Sequence, residues 1–213
     1  YTTSSFRNTA NGYQALYKNT TGSNNTATGE LALYSNEMGS FNVATGNIAL
    51  YKNTTGSNNT ANGYYALYSN TTGSNNTACG FSALFNNITG HSNTATGYYA
   101  LNNNTMGNQN TANGYQALRL NTTGYRNTAV GFEAFRSNIS GALNTATGYR
   151  SLNGSVYGSY NTGYGYETLY SNTWGNSNVA VGMLSMRATT SGSNNTANGY
   201  MTLNSNTTGS NTT

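Results

Sequence analysis

The chain contains no proline and no aspartate, and it has one cysteine, one histidine and one tryptophan in 213 residues. Each scarcity excludes something. Without proline, nothing interrupts a hydrogen-bonded backbone ladder. Without aspartate, a Ser-His-Asp triad cannot be assembled. A zinc centre needs three or four His, Cys or carboxylate ligands in one place, and His91, Cys79 and the four acids Glu30, Glu37, Glu133 and Glu167 are scattered along the chain. Cys79 alone forms no internal disulfide and reads as a passive residue. Charged residues make up only 6% of the chain. The eight basic side chains (Arg7, Lys18, Lys52, Arg119, Arg126, Arg136, Arg150 and Arg187) are too sparse for a nucleic-acid groove, which needs dense charge interleaved with aromatics. They read as solubility charges, with a weak contact to a polyanion or surface glycan as the alternative. No apolar run approaches the roughly 20 residues that span a bilayer as a helix, so no membrane insertion is expected. The net charge of +4 is low for a disordered chain of such polar composition.

A unit of seventeen residues fills the space left by these exclusions. Taking Asn8 as slot 1, the same asparagine returns at Asn25, Asn42, Asn59 and every seventeenth position to Asn195, with no insertion or deletion. The consensus is Asn-Thr-Ala-x-Gly-Tyr-x-Ala-Leu-x-x-Asn-Thr-Thr-Gly-x-x. Slot 5 is always glycine (Gly12, Gly29, Gly46 onward), and slot 15 is always glycine (Gly22 to Gly209). Slot 9 is leucine (Leu16, Leu33, Leu50) except at Phe135 and Met186. Slot 3 is alanine except at Gly163, and slot 12 is asparagine except at Ser155 and Thr189. A strict period of this length marks a solenoid or fibre rather than a globule around one core. The segment Tyr1–Arg7 matches slots 11 to 17 of a preceding unit. Residues 1–213 therefore read as one continuous repeat array, either an excerpt of a longer fibre or a unit within one.

The expected fold is all-β: a parallel β-solenoid, β-roll-like, of about twelve seventeen-residue coils. With strands pairing from coil to coil, the pitch is about 4.8 Å and the rod roughly 58 Å long. Asn-Thr-Ala-x-Gly reads as a short strand. Tyr-x-Ala-Leu-x reads either as a second strand or as a short helical turn in each coil. Alanine in slot 3 suits a tight interior with slot 2 threonine outward. The reverse is the alternative, because valine occurs in slot 2 at Val43 and Val179 and in slot 4 at Val130 and Val181. Identical slots stacked on each other form ladders, asparagine amide to amide and tyrosine ring on ring. The two glycine slots supply positive φ or close backbone approach. The apolar content of one coil is thin, which favours self-association, as a homotrimer or a head-to-tail filament. Asn-x-Thr/Ser sequons at Asn19, Asn24, Asn53, Asn70, Asn87, Asn121 and Asn138 are read as a by-product of Asn/Thr ladders, with glycosylation as the alternative.

Catalysis is not expected. Glu133 and Glu167 lie two coils apart, about 10 Å at this pitch, a separation compatible with an inverting glycosidase, but neither falls in an evident pocket. The glycines follow the seventeen-residue period and no phosphate-cradling fingerprint, so no cofactor is implied.

The motifs Asn127-Thr-Ala-Val-Gly131 and Asn178-Val-Ala-Val-Gly182 resemble the head repeats of trimeric autotransporter adhesins. The longer unit Asn59-Thr-Ala-Asn-Gly-Tyr-Tyr-Ala-Leu-Tyr-Ser-Asn-Thr-Thr-Gly73 looks more like repeat tracts of bacterial and phage tail-fibre-like proteins. The resemblance implies homotrimeric β-rolls or fibres at a cell or virion surface that bind host or surface ligands. The functional expectation is an extracellular structural or adhesive β-solenoid, serving as fibre shaft, filament subunit or surface adhesin. Tyr17, Tyr34, Tyr51, Tyr68 and Tyr170 in slot 10 are candidate contacts for sugars or other protomers. The alternative is an ice-binding protein using Thr ladders, with Thr-x-Thr at Thr26/Thr28, Thr94/Thr96 and Thr145/Thr147.

Overall fold

The computed structural model describes residues 6–213; the first five residues of the partial unit Tyr1–Arg7 lie outside the described residues. Twelve three-residue strands run from β1 (Thr9–Asn11) and β2 (Thr26–Thr28), at seventeen-residue intervals, to β12 (Thr196–Asn198). They form one parallel sheet in strict sequence order. The register is slot on slot: Thr9 pairs with Thr26, Ala10 with Ala27 and Asn11 with Thr28. It is unchanged at the far end, where Val179 pairs with Thr196. The expected parallel β-solenoid is therefore the fold.

In every strand from β2 onward the middle residue is buried and its neighbours face outward to varying degree, as in Thr60-Ala61-Asn62. Slot 3 alanine is thus the interior residue. The reverse assignment fails even where slots 2 and 4 hold valine, since Val43, Val130 and Val179 are exposed. The interior is a narrow column. Ala27, Ala32 and Leu33 in one coil, and Ala44, Ala49 and Leu50 in the next, are fully buried within a single chain. Small groups sit opposite the leucine, alanine in most coils and Ser151, Thr168 and Ser185 in slot 8 of three later ones, because the parallel sheet and the turns behind it approach closely.

The Tyr-x-Ala-Leu-x segment corrects the sequence reading. Among the described residues there is no helix and no second strand. Instead slots 7 and 9 both take left-handed backbone conformations, as at Leu31 (φ 56°) and Leu33 (φ 54°), and slot 17 does the same, as at Phe41 (φ 60°). Such conformations cost an L-residue roughly 1–2 kcal/mol each. Between the first and last coils their N–H groups find acceptors in a neighbouring coil. Leu31 N–H donates to Tyr13 O at 2.8 Å, Leu33 N–H to Ala49 O at 3.0 Å and Phe41 N–H to Ser23 O at 3.0 Å. Bonds run alternately down and up the rod, so backbone pairing extends well beyond the three strand residues.

Two asparagine columns close the remaining corner. The backbone N–H of Asn25 donates to Asn8 Oδ1 at 2.8 Å, and Asn25 Nδ2 donates to Gly39 O at 2.8 Å. From slot 12, Asn36 Nδ2 donates to the same Gly39 O at 2.9 Å and to Asn19 Oδ1 at 2.7 Å. The slot 15 carbonyl is thus the shared acceptor of both columns. A side chain there would overlap the asparagine carboxamide and the next glycine carbonyl, as Asn104 Oδ1 and Gly124 O would meet a Cβ at Gly107. Slot 15 is glycine for closeness of approach, whereas slot 5 also needs positive φ, 138° at Gly12.

Candidate functional site

The outer surface carries two aromatic ladders displaced along the rod. The first is in slot 10 of the early coils. Tyr17, Tyr34, Tyr51, Tyr68 and Phe85 stack in sequence at centroid separations of 5.0–5.5 Å, with interplanar angles of 12° or less. The second is in slot 6 of later coils. It runs from Tyr64 through Phe81, Tyr98, Tyr115, Phe132 and Tyr149 to Tyr166 at 5.0–5.5 Å. Ring stacking at this distance follows from the coil pitch, because identical slots are one strand spacing apart.

Tyr65, in slot 7, joins the two ladders. Its ring stands edge-on to Tyr64 at 4.1 Å, to Tyr68 at 5.3 Å and to Phe85 at 5.6 Å. Aromatic surface therefore continues from Tyr17 to Tyr166. Of the five slot 10 tyrosines expected to form one stripe, four do so. Tyr170 does not join them: Asn153 and Arg187 occupy its slot in the adjacent coils, and the Arg187 guanidinium lies 5.2 Å over its ring. The slot 6 ladder, which carries more of the exposed aromatic surface, was legible in the recurrence of Tyr and Phe at that slot.

A notch opens where the ladders change over. Slot 7 reads Tyr65, Ser82, Tyr99 in successive coils, and slot 10 reads Phe85, Asn102, Arg119. The small residues Ser82 and Asn102 thus sit between large ones in both rows, and the space measures about 370 Å³. Asn102 Nδ2 donates to Ser82 O at 2.9 Å. Tyr99 stands edge-on to Phe81 at 5.6 Å, and the Arg119 guanidinium lies 5.2 Å from the Tyr99 ring centre. Arg119 Nη1 donates to Gln116 Oε1 at 3.3 Å, while its buried Nε has no partner. Burial among neighbouring rings and the Tyr99 hydroxyl raise the Tyr98 phenol above the ordinary phenol range.

Two of the four carboxylates are placed for ion pairing, while Glu30 Oε2 accepts from Asn47 Nδ2 at 2.9 Å. Glu133 Oε2 accepts from Arg150 Nε at 2.7 Å, and Glu133 also lies 3.9 Å from Arg136. Glu167 Oε2 accepts from Arg187 Nε at 2.8 Å. The Glu133 bond and charge raise the Arg150 pKa further. Both glutamates fall in slot 7, each tied to an arginine on its own flank. Among the described residues no group of three or more His, Cys, Asp or Glu side chains is gathered as a metal site would need. His91 and Cys79 are both exposed.

The structural ladder residues fall where the period puts them. Asn25, Asn42 and Asn59 are buried, as are Leu33 and Leu50, while Asn8 and Leu16 in the first coil are half-exposed. Gly12, Gly29 and Gly46 all have positive φ. The slot 12 sequon asparagines Asn53, Asn70, Asn87, Asn121 and Asn138 are fully buried, so they are inaccessible to glycan transfer once the coil has formed. On the sheet, slot 2 presents an outward row of Thr77, Thr94, Thr111, Thr128 and Thr145. Slot 4 beside it alternates Cys79, Thr96, Asn113, Val130 and Thr147. Comparison of the chain with protein-family models, with curated proteins and with solved structures returned no match.

Proposed function

We propose that the chain is a non-catalytic structural and adhesive rod, exposed outside the cell or on a virion surface. It would serve as a fibre shaft, filament subunit or surface adhesin. The observation that carries this reading is the aromatic track from Tyr17 to Tyr166, whose half-exposed rings are held in place by their own stacking. Rigid aromatic surface with little side-chain freedom to lose suits contact with sugars or with another protomer. Pairing of Glu133 and Glu167 with arginines leaves neither carboxylate poised as a free acid or base, which supports a binding rather than catalytic role. Self-association as a homotrimer or head-to-tail filament belongs to the same proposal, as do surface glycans as ligands.

Electron microscopy with light-scattering mass measurement, followed by glycan-array and cell-surface binding, tests it. Filaments or trimeric rods that adhere, with adhesion lost on replacing Tyr98, Tyr115 and Tyr149 by serine, are expected. Monomeric particles that bind no surface would overturn it.

Ice binding is the second reading, supported by the outward threonine row of slot 2 at strand spacing. A regular hydroxyl array on an exposed sheet can order water. Slot 4 interrupts the second row at Cys79, Asn113 and Val130. Thermal hysteresis at high protein concentration decides this reading, and none is expected if the aromatic face is the working one.

A further inference from the structure

The notch at the ladder crossover has the makings of a ligand site. We propose that it binds a carboxylated pyranose, a uronic-acid-type unit of a surface polysaccharide. The proposal deepens the adhesive reading and rests on it for the source of the ligand. Three observations converge. Its volume, about 370 Å³, falls in the roughly 300–1,000 Å³ range of small-ligand sites.

The charge at the notch is uncompensated. Three arginines occupy slot 10, and two have carboxylates of the chain: Arg136 lies 3.9 Å from Glu133 and Arg187 2.8 Å from Glu167. Among the described residues Arg119 has none within ion-pairing distance. Its guanidinium is steadied against Tyr99 and by Gln116, and its buried Nε is without a partner. Inside the chain the guanidinium therefore has one long bond, 3.3 Å to Gln116 Oε1, and no carboxylate, and Arg119 lines the notch with that unspent donor capacity. Guanidinium groups bind carboxylates in preference to neutral acceptors.

The remaining lining matches a polyol rather than a simple acid. Asn102 commits its Nδ2 to Ser82 O, which leaves its Oδ1 to accept a hydroxyl. Ser82 Oγ makes no hydrogen bond within the chain and forms the floor beside it. Tyr65 and Tyr99 flank that floor, and an aromatic face is the usual platform for the C–H side of a sugar ring. The ligand's carboxylate would sit on Arg119, its hydroxyls on Asn102 and Ser82, and its apolar face on a tyrosine.

Titration with a glucuronate-containing oligosaccharide, followed by calorimetry and amide chemical shifts, tests the proposal against the neutral glucose oligosaccharide of equal length and against benzoate. The acidic sugar is expected to bind, with shifts centred on Ser82 and Asn102. Arg119→Gln should weaken it at least tenfold, the scale of one lost charge-assisted hydrogen bond. Ser82→Tyr, which continues the slot 7 tyrosine row and fills the notch, should abolish it, while Arg187→Gln should not change it. Circular dichroism melting of each variant shows that the coil is intact. Equal affinity for the neutral sugar, equal affinity for benzoate, or undiminished binding by Arg119→Gln would overturn the proposal. Adhesion that persists without any uronate binding sinks the notch but not the adhesive rod. Uronate binding without adhesion sinks the rod's adhesive role and leaves the notch.

Discussion

Asn138 donates its amide to Asn121 Oδ1 at 2.6 Å, but its own Oδ1 finds no donor, because the residue above it in the column is Ser155. Ser155 Oγ is unpartnered as well. One missing carboxamide thus leaves two buried polar atoms unsatisfied, and the column's second break, at Thr189, likewise leaves Asn172 Oδ1 without a donor. Ser155→Asn restores the repeat at that slot and should stabilise the rod by about 1–3 kcal/mol, the cost of a buried unsatisfied group. Urea unfolding should show a higher midpoint at an unchanged m-value.

The interior contains a compensated pair of exchanges. Gly163 replaces alanine in slot 3 of the coil whose slot 8 is Thr168 rather than alanine. A Cβ at Gly163 would lie 2.6 Å from Ser151 Oγ and 2.9 Å from Thr168 Oγ1. The two hydroxyls themselves sit 2.7 Å apart, and Ser151 Oγ donates to Gly163 O at 3.0 Å. Gly163→Ala alone should destabilise by about 1–3 kcal/mol through overpacking. Added to Ser151→Ala and Thr168→Ala, it should cost little or nothing, since the coil then has the slot 3 and slot 8 alanines of earlier coils such as Ala129 and Ala134. A thermodynamic cycle of these variants should be strongly non-additive.

Ring stacking gives a third expectation. Tyr115 stacks on Tyr98 at 5.4 Å and on Phe132 at 5.0 Å. Tyr13, in the same slot of the first coil, has a glutamate, Glu30, in the next coil and is 69% exposed. Tyr115→Ala should therefore lose about 1–3 kcal/mol, two aromatic pairs at roughly 0.5–1.5 each, whereas Tyr13→Ala should stay within about 0.5 kcal/mol of the parent. Thermal or urea melts of the two variants side by side provide the measurement.

Alkaline pH should weaken the slot 6 ladder. Burial, and then the Tyr99 hydroxyl, raise the Tyr98 phenol above its ordinary range. The neighbouring Tyr65 hydroxyl is the main cause of the same shift at Tyr64. A raised phenol favours the protonated form in the folded state, so the unfolded chain ionises first. The associated stability is complete below the ordinary phenol range and is lost as pH rises through the folded value. Ultraviolet titration should resolve a late-ionising tyrosine fraction that shrinks in Tyr98→Phe, and an unchanged curve would count against the shift.

Much of this architecture was legible before any coordinates. The seventeen-residue period, with no slip from Asn8 to Asn195, forces like residues over like, so the Asn columns and slot 6 rings follow from arithmetic and strand spacing. Invariant glycine at slots 5 and 15 announced positive φ or close approach without saying which applied where, and slot 17 carries asparagines such as Asn58 and Asn75 that tolerate left-handed backbone. Slots 7 and 9 gave no such signal. Leucine is a poor left-handed residue, so its conformation in slot 9 is set by the core it must fill and by the next coil's carbonyl, both non-local.

The sequence by itself determined the period, the in-register stacking and the polar columns, because those depend only on which residue recurs and how often. Tertiary structure alone decided the outward face of slots 2 and 4, the left-handed turn through Leu33 and its equivalents, and the meeting of Tyr65, Ser82, Asn102 and Arg119 at one notch. Those depend on how a coil bends, and a coil bends to satisfy hydrogen bonds with its two neighbours rather than the preferences of its own residues.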